Sequence, residues 1–238
     1  MLPFKVALKV PIYVFGKWSF NCLKGNFVVD APIKRGMIYL GMDIAGYVTT
    51  GKSSLRMKKG SKIIFRGNAY ISQGCQIFLG QNANLDMGEE MLLGDSVKII
   101  CYKNIIIGRR SEVTWESQVT DFNSHFIENV ESQQISTIYR PVKIGNYCWI
   151  GNRTSVMPGT ILPDKVIVTS NSLLNKDYIK QGIKNYSLIG GIPAQLIKKG
   201  MKRIYSREHE QTLKKYFIEN NIERVSNSVL QDELLNNN

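Results

Sequence analysis

Counting in sixes from Ile144 returns an aliphatic residue each time, at Ile150, Val156, Leu162 and Val168. Four places after each comes a small or slim residue: Cys148, Thr154, Thr160, Val166 and Ser172. A helix repeats near 3.6 and a half-buried strand near 2, so neither needs a period of six. A hexad fits a short strand followed by a sharp corner. The aliphatic residue points into a narrow core, and the slim residue sits where the walls converge. A glycine at the corner then supplies backbone freedom. Coils of this kind pair their backbones with the next coil, so stability accumulates coil by coil as in solenoids. A β-sandwich, with turn signals every 8–12 residues, is the alternative, and the unbroken register from 144 to 173 speaks against it.

Upstream the count persists with slips. Phe65, Ile71 and Ile77 share one phase, Leu79 and Leu85 the next, then Leu93 and Ile99, then Ile107, Val113 and Val119. Glycine often follows the aliphatic residue, as at Gly80, Gly94, Gly108, Gly145 and Gly151. The expected fold is all-β, a solenoid of short strands over residues 61–200. Residues 1–60 form a basic, aromatic cap segment, and 201–238 a C-terminal helix with a disordered tail. Leu213, Tyr216 and Phe217 fall on one side of a helix expected over 206–221.

Composition limits the functional classes. No run of eighteen apolar residues is present, and lysines interrupt the apolar start, which lacks a cleavage-site pattern. Four scattered cysteines (Cys22, Cys75, Cys101, Cys148) and two histidines form neither a disulfide framework nor a zinc cluster. They suit a reducing cytoplasm. The net charge of +12 calls for an acidic partner. No nucleic-acid-binding motif accompanies it, so nucleic acid is not expected. The first 29 residues hold Lys5, Lys9, Lys17 and Lys24 and no acid, among Phe4, Leu8, Phe15, Trp18 and Phe20. This stretch reads equally as a cap on the open solenoid end and as a segment touching anionic lipid at the inner face of a membrane.

The register fails for 24 residues, 120–143, reading TDFNSHFIENVESQQISTIYRPVK. Long insertions in a repeat fold are where function concentrates. This one holds His125, with Asp121, Asn123, Glu128 and Glu131 nearby. Acyl transfer from a thioester to an alcohol needs a base that titrates near neutrality, and histidine is the natural one. Asp121 is the preferred carboxylate to orient it, Glu128 the runner-up, with a backbone carbonyl also open. Asn123 could hold an acceptor sugar. His209 falls in the C-terminal helix and is read as structural.

The hexads, the WIG at 149–151, SNSLLNKD at 170–177 and GGIPAQLIKK at 190–199 together resemble the hexapeptide-repeat CoA-dependent acyltransferases, which implies a left-handed parallel β-helix over residues 61–200. The closest likeness is to bacterial sugar and polysaccharide O-acetyltransferases, whose endings read AGSVVTKD and GNPAKVIKK. The resemblance covers roughly residues 65–200. It implies a homotrimer with sites between subunits, acetyl-CoA as co-substrate, no metal, and a sugar hydroxyl of a surface-polysaccharide precursor as acceptor. It places the catalytic histidine just before the WIG coil and makes the N–H of Asn152 the oxyanion donor. Gly151 would allow close approach, Trp149 pack on the pantetheine arm, Ser170 lie beside it, and Lys176, Lys198 and Lys199 meet the phosphates. Asn171, Asn175 and Ile192 depart from the family's glycine, threonine and asparagine. N-acetylation of an amino sugar and a non-catalytic scaffold are the rival readings. The carbonic anhydrases of the same fold need more histidines than this chain has.

Overall fold

The computed structural model describes residues 2–43 and 51–226 and divides into two units, Met1–Lys202 and Arg203–Asn238. The first unit is a left-handed β-helix of three parallel sheets. One face has eight parallel strands, from Ile12–Val14 to Leu188–Gly191, closed by the antiparallel Ala194–Lys198. The second face has seven strands, from Trp18–Leu23 to Leu173–Leu174. The third has five, from Asn26–Val29 to Val142–Ile144, and single bridges carry it on through Ile161 to Asp177.

Successive hexads take successive faces. Ile144 lies on the third, Ile150 on the first and Val156 on the second, and Val168 and Leu174 repeat the last two. Three hexads make one coil: Trp149 pairs with Ile167 and Ser155 with Leu173, each eighteen residues on. Leu40, Ile71, Leu93, Val113, Ile150, Val168 and Ile189 stack in register along the first face, all buried. Each such side chain contributes roughly 1.5–3 kcal/mol by leaving water. The upstream slips have a plain cause. Gln76 pairs with Lys98, 22 residues later, and Lys98 with Gln118, 20 later, so those coils carry extra corner residues.

The corner glycines serve a different purpose from the one their position suggests. Gly94, Gly108, Gly145 and Gly151 do not have positive φ. The left-handed position falls two residues later, on Ser96, Arg110, Tyr147 and Arg153. The glycines are instead required by close approach: a Cβ on Gly108 would lie 2.4 Å from the Gly145 carbonyl oxygen, and one on Gly151 would lie 2.5 Å from the Ser170 nitrogen. The slim fifth-place residues satisfy these corners. Ser111 Oγ donates to the Gly145 carbonyl at 2.7 Å and accepts from Cys148 N at 2.9 Å.

The solenoid begins earlier than the six-count. Strands at Ile12–Val14, Trp18–Leu23 and Asn26–Val29 are its first coil, inside the stretch assigned as a cap. Hexads are not visible there because the links are uneven: three and two residues join these strands, whereas eight separate Val29 from Ile38 in the next coil. In the second unit, helix Arg207–Asn220 starts at Ser206, whose Oγ accepts from His209 N, and stops at Asn221 in left-handed conformation. This agrees with the helix expected over 206–221, while the tail expected to be disordered lies, from 227 on, outside the described residues. No helix among the described residues is long and apolar enough to cross a membrane.

Three of the four thiols are sealed in the core. Burial pushes Cys75 and Cys148 up to about 12 and Cys101 higher still, whereas Cys22 is only half-buried. A thiol-specific reagent at pH 8 is expected to label Cys22 alone in the folded protein and all four after unfolding, because the thiolate is the reactive form. Rapid labelling of four thiols in the native protein would contradict this packing.

Candidate active site

The broken register is a β-arm. It leaves the second face after Gln118–Thr120 and rejoins the third at Val142–Ile144. At its base Phe122 bridges Tyr139, Asn123 N donates to the Ile138 carbonyl at 2.8 Å, and Arg140 N to the Asp121 carbonyl at 3.0 Å. The Tyr102, Phe122 and Tyr139 rings pack together with centroids 4.1–6.0 Å apart, and Lys103 lies over Tyr139 at 5.2 Å. Aromatic packing of this sort fixes the arm's exit angle. Further out, Glu128–Asn129 and Gln134–Ile135 form a short antiparallel hairpin, with Phe126, Ile127, Val130 and Ile135 exposed.

His125 stands on the outgoing limb, between the pinned base and the hairpin, and is solvent-exposed. No side chain among the described residues hydrogen-bonds to its ring. Asp121, the expected partner, is fully buried and committed elsewhere. Its Oδ1 accepts from Tyr102 N, and its Oδ2 from Lys103 N and Asn104 N, each at 2.7 Å. The carboxylate is therefore held in the corner at 102–104 and does not reach His125. Asn123 sits at the base of the arm, half-buried, and Glu128 is exposed in the hairpin.

A second group lies on the edge between the first and second faces. Trp149 is 38% exposed on the strand leading to it, and Gly151 is buried at the turn. Ser170 Oγ donates to Asn152 Oδ1 one coil on. The backbone N–H groups of Trp115, Asn152 and Ser170, on successive coils of this edge, have no partner among the described residues. On the edge between the third and first faces, side chains cap two such donors: Arg109 N meets Asn146 Oδ1 and Asn146 N meets Asp164 Oδ1, at 2.9 and 2.8 Å. Strand spacing places the three open donors about 4.8 Å apart in a line.

The remaining candidates are divided. Lys176 is exposed at the edge between the second and third faces, the same edge that bears the arm. Lys198 ends the antiparallel strand of the first face and Lys199 follows it, both exposed. One chain thus places His125 and Lys176 on one edge and Gly151, Asn152 and Ser170 on another. Sequence reading missed Asp95, next on the latter edge toward the N-terminus. It is buried, accepts from Ser72 Oγ through Oδ1, and leaves Oδ2 without a partner. Its signal was an acid in the place after Gly94 that Trp115, Asn152 and Ser170 fill in later coils. No group of residues suited to a metal ion occurs among the described residues.

No family model matches the chain. It is 28% identical over 111 residues to a protein of Escherichia coli (strain K12) assigned to O-acetyl transfer in lipopolysaccharide biosynthesis, covering 43% of this chain and 54% of that protein. It is 43% identical over 56 residues to a chloramphenicol acetyltransferase of Morganella morganii, covering 24% of each. The chain therefore spans about half the length of the first relative and a quarter of the second. Among solved structures, a polysialic acid-specific acetyltransferase superposes with a TM-score of 0.52 at 16% identity, over 86% of this chain and 94% of that one. At that identity the likeness speaks to the fold.

Proposed function

We propose that this chain, a member of the hexapeptide-repeat acetyltransferase family, moves an acetyl group from acetyl-CoA to a sugar hydroxyl of a surface polysaccharide or its precursor. The observation that carries this reading is the line of open backbone donors at Trp115, Asn152 and Ser170. Pantetheine is a chain of amides, and a solenoid edge with unpaired N–H groups at strand spacing can pair with its carbonyls. At the thioester end, the Asn152 N–H would meet the oxygen that becomes negative in the tetrahedral intermediate. Gly151 lets its coil approach the Ser170 coil closely, which keeps these donors in line, and Trp149 would cover the pantetheine. Lys198 and Lys199 would supply cations for the phosphates, and Lys176, on the edge that bears the arm, would do so from a neighbouring copy.

His125 takes the proton of the acceptor hydroxyl as the oxygen attacks the thioester carbonyl; the intermediate collapses and the CoA thiolate leaves. Asn123 and Glu128, on the same arm, would touch the acceptor. His125 and Asn152 leave the solenoid at different edges, so the complete site in this reading needs the arm of a neighbouring copy. A closed homotrimer, in which each arm meets the next subunit's edge, meets that need.

Binding of CoA is the direct test. A ligand held by the folded state alone, at 100 times its Kd, adds about 2.7 kcal/mol of stability. For a chain of this size that raises the melting temperature by roughly 5–10 °C. A flat melting curve up to millimolar CoA and acetyl-CoA would favour a non-catalytic scaffold. Release of free thiol from acetyl-CoA on adding sugar acceptors then reports the transfer itself.

A further inference from the structure

The N-terminal end of the solenoid is not lidded by the described residues. Its first coil supplies the outermost strand of all three sheets: Ile12–Val14, Trp18–Leu23 and Asn26–Val29. Ile12, Trp18, Leu23, Phe27 and Val29 pack against the core yet remain only partly buried, because no coil lies beneath them. A solenoid end normally needs a polar cap. The helix Phe4–Ala7 does not act as one, since it buries none of its residues. Phe4 is 76% exposed and Leu8 66%, and Val10, Val14, Phe15 and Phe20 are exposed with them.

Charge selects among the possible occupants. Lys5, Lys9, Lys17 and Lys24 surround these apolar groups, and the first acid in the chain is Asp30. A second copy meeting this end head to head would bring the same four cations together, and Asp30, the acid that follows the first coil's last strand, is already paired with Arg66. A surface that is apolar within and anionic at its rim matches both properties. We infer that the first coil and its leading helix dock on an anionic lipid bilayer, with Phe4, Leu8 and Phe20 entering the interface and the lysines meeting headgroups. Apolar side chains with basic neighbours are what such interfacial segments use. The inference is independent of the acetyl-transfer reading.

The test is flotation of the full-length protein with phosphatidylcholine vesicles, with and without phosphatidylglycerol. The protein is expected to float with the anionic vesicles and stay behind with the neutral ones. Each lysine near the surface strengthens binding roughly fivefold, so Lys5→Ala with Lys9→Ala should weaken it by about 25-fold. Raising salt should weaken it as well. Phe4→Ser and Leu8→Ser together, in a helix that buries none of its residues, should abolish flotation with the melting temperature unchanged. Ile127→Ser with Val130→Ser, on the exposed arm, should leave it intact. Absence of flotation with anionic vesicles, or flotation that survives the N-terminal substitutions, overturns the inference. So does vesicle-free self-association that depends on Phe4 and Leu8, which would assign this end to a second copy.

Discussion

Replacing His125 by alanine should lower the rate of acetyl transfer by about 10²–10⁴-fold, the usual contribution of a positioned general base. Its CoA-induced thermal shift should match that of the parent chain. The separation is expected because the imidazole acts on the acceptor proton, while CoA is held along an edge to which His125 does not belong. A second variant makes the geometry testable. Ser170 is exposed at that edge, and Ser170→Trp should fill it without disturbing the arm. Each variant alone is expected to be nearly inactive. If arm and edge meet only across neighbouring copies, subunits mixed in equal amounts regain activity, because about a quarter of the interfaces in a ring of randomly assorted subunits join two intact halves. Activity that stays at the level of the single variants would place both halves within one chain. Near-parental turnover by His125→Ala would remove the histidine mechanism.

What could be read from the chain beforehand followed the regularity of its coils. Residues 144–174 were legible because three hexads there fill one coil with no surplus, so Ile150 and Val168 meet in register. The coils before them carry two or four extra corner residues, and the count slipped by those amounts. The first coil is hidden for a related reason, since eight residues separate its last strand, Asn26–Val29, from Ile38–Met42, the first strand of the next coil. The corner glycines are visible in the sequence, but their cause is not. A one-dimensional pattern shows that a side chain is missing, but only coil-to-coil spacing tells crowding from positive φ. The candidate site rests on residue type, and its arrangement is not legible in the sequence. His125 and Asn152 are 27 positions apart in sequence, and their separation onto two edges follows from the face each neighbouring strand joins.

Asp121 is where local reading and structure diverge most, and it gives the second large expected effect. In the coil before the arm, Gly80 N and Asn84 N are met by the carbonyls of Cys101 and Lys103 in the coil above. The corner at 102–104 has no such coil above it, because the chain departs there into the arm. The Asp121 carboxylate replaces the missing carbonyls, taking the N–H groups of Tyr102, Lys103 and Asn104 at 2.7 Å each. Bonds to a charged acceptor are worth about 1.5–3 kcal/mol apiece, and orphaned buried donors add their own cost. Asp121→Ala is therefore expected to remove about 3–5 kcal/mol of stability, allowing for non-additivity. The melting temperature should fall by roughly 10 °C or more. Asp121→Asn keeps one acceptor oxygen but turns an amide N–H₂ toward the other donors, so its loss should be about half as large. An Asp121 that oriented His125 instead would behave differently: the asparagine variant would melt with the parent while its turnover fell and its pH profile shifted.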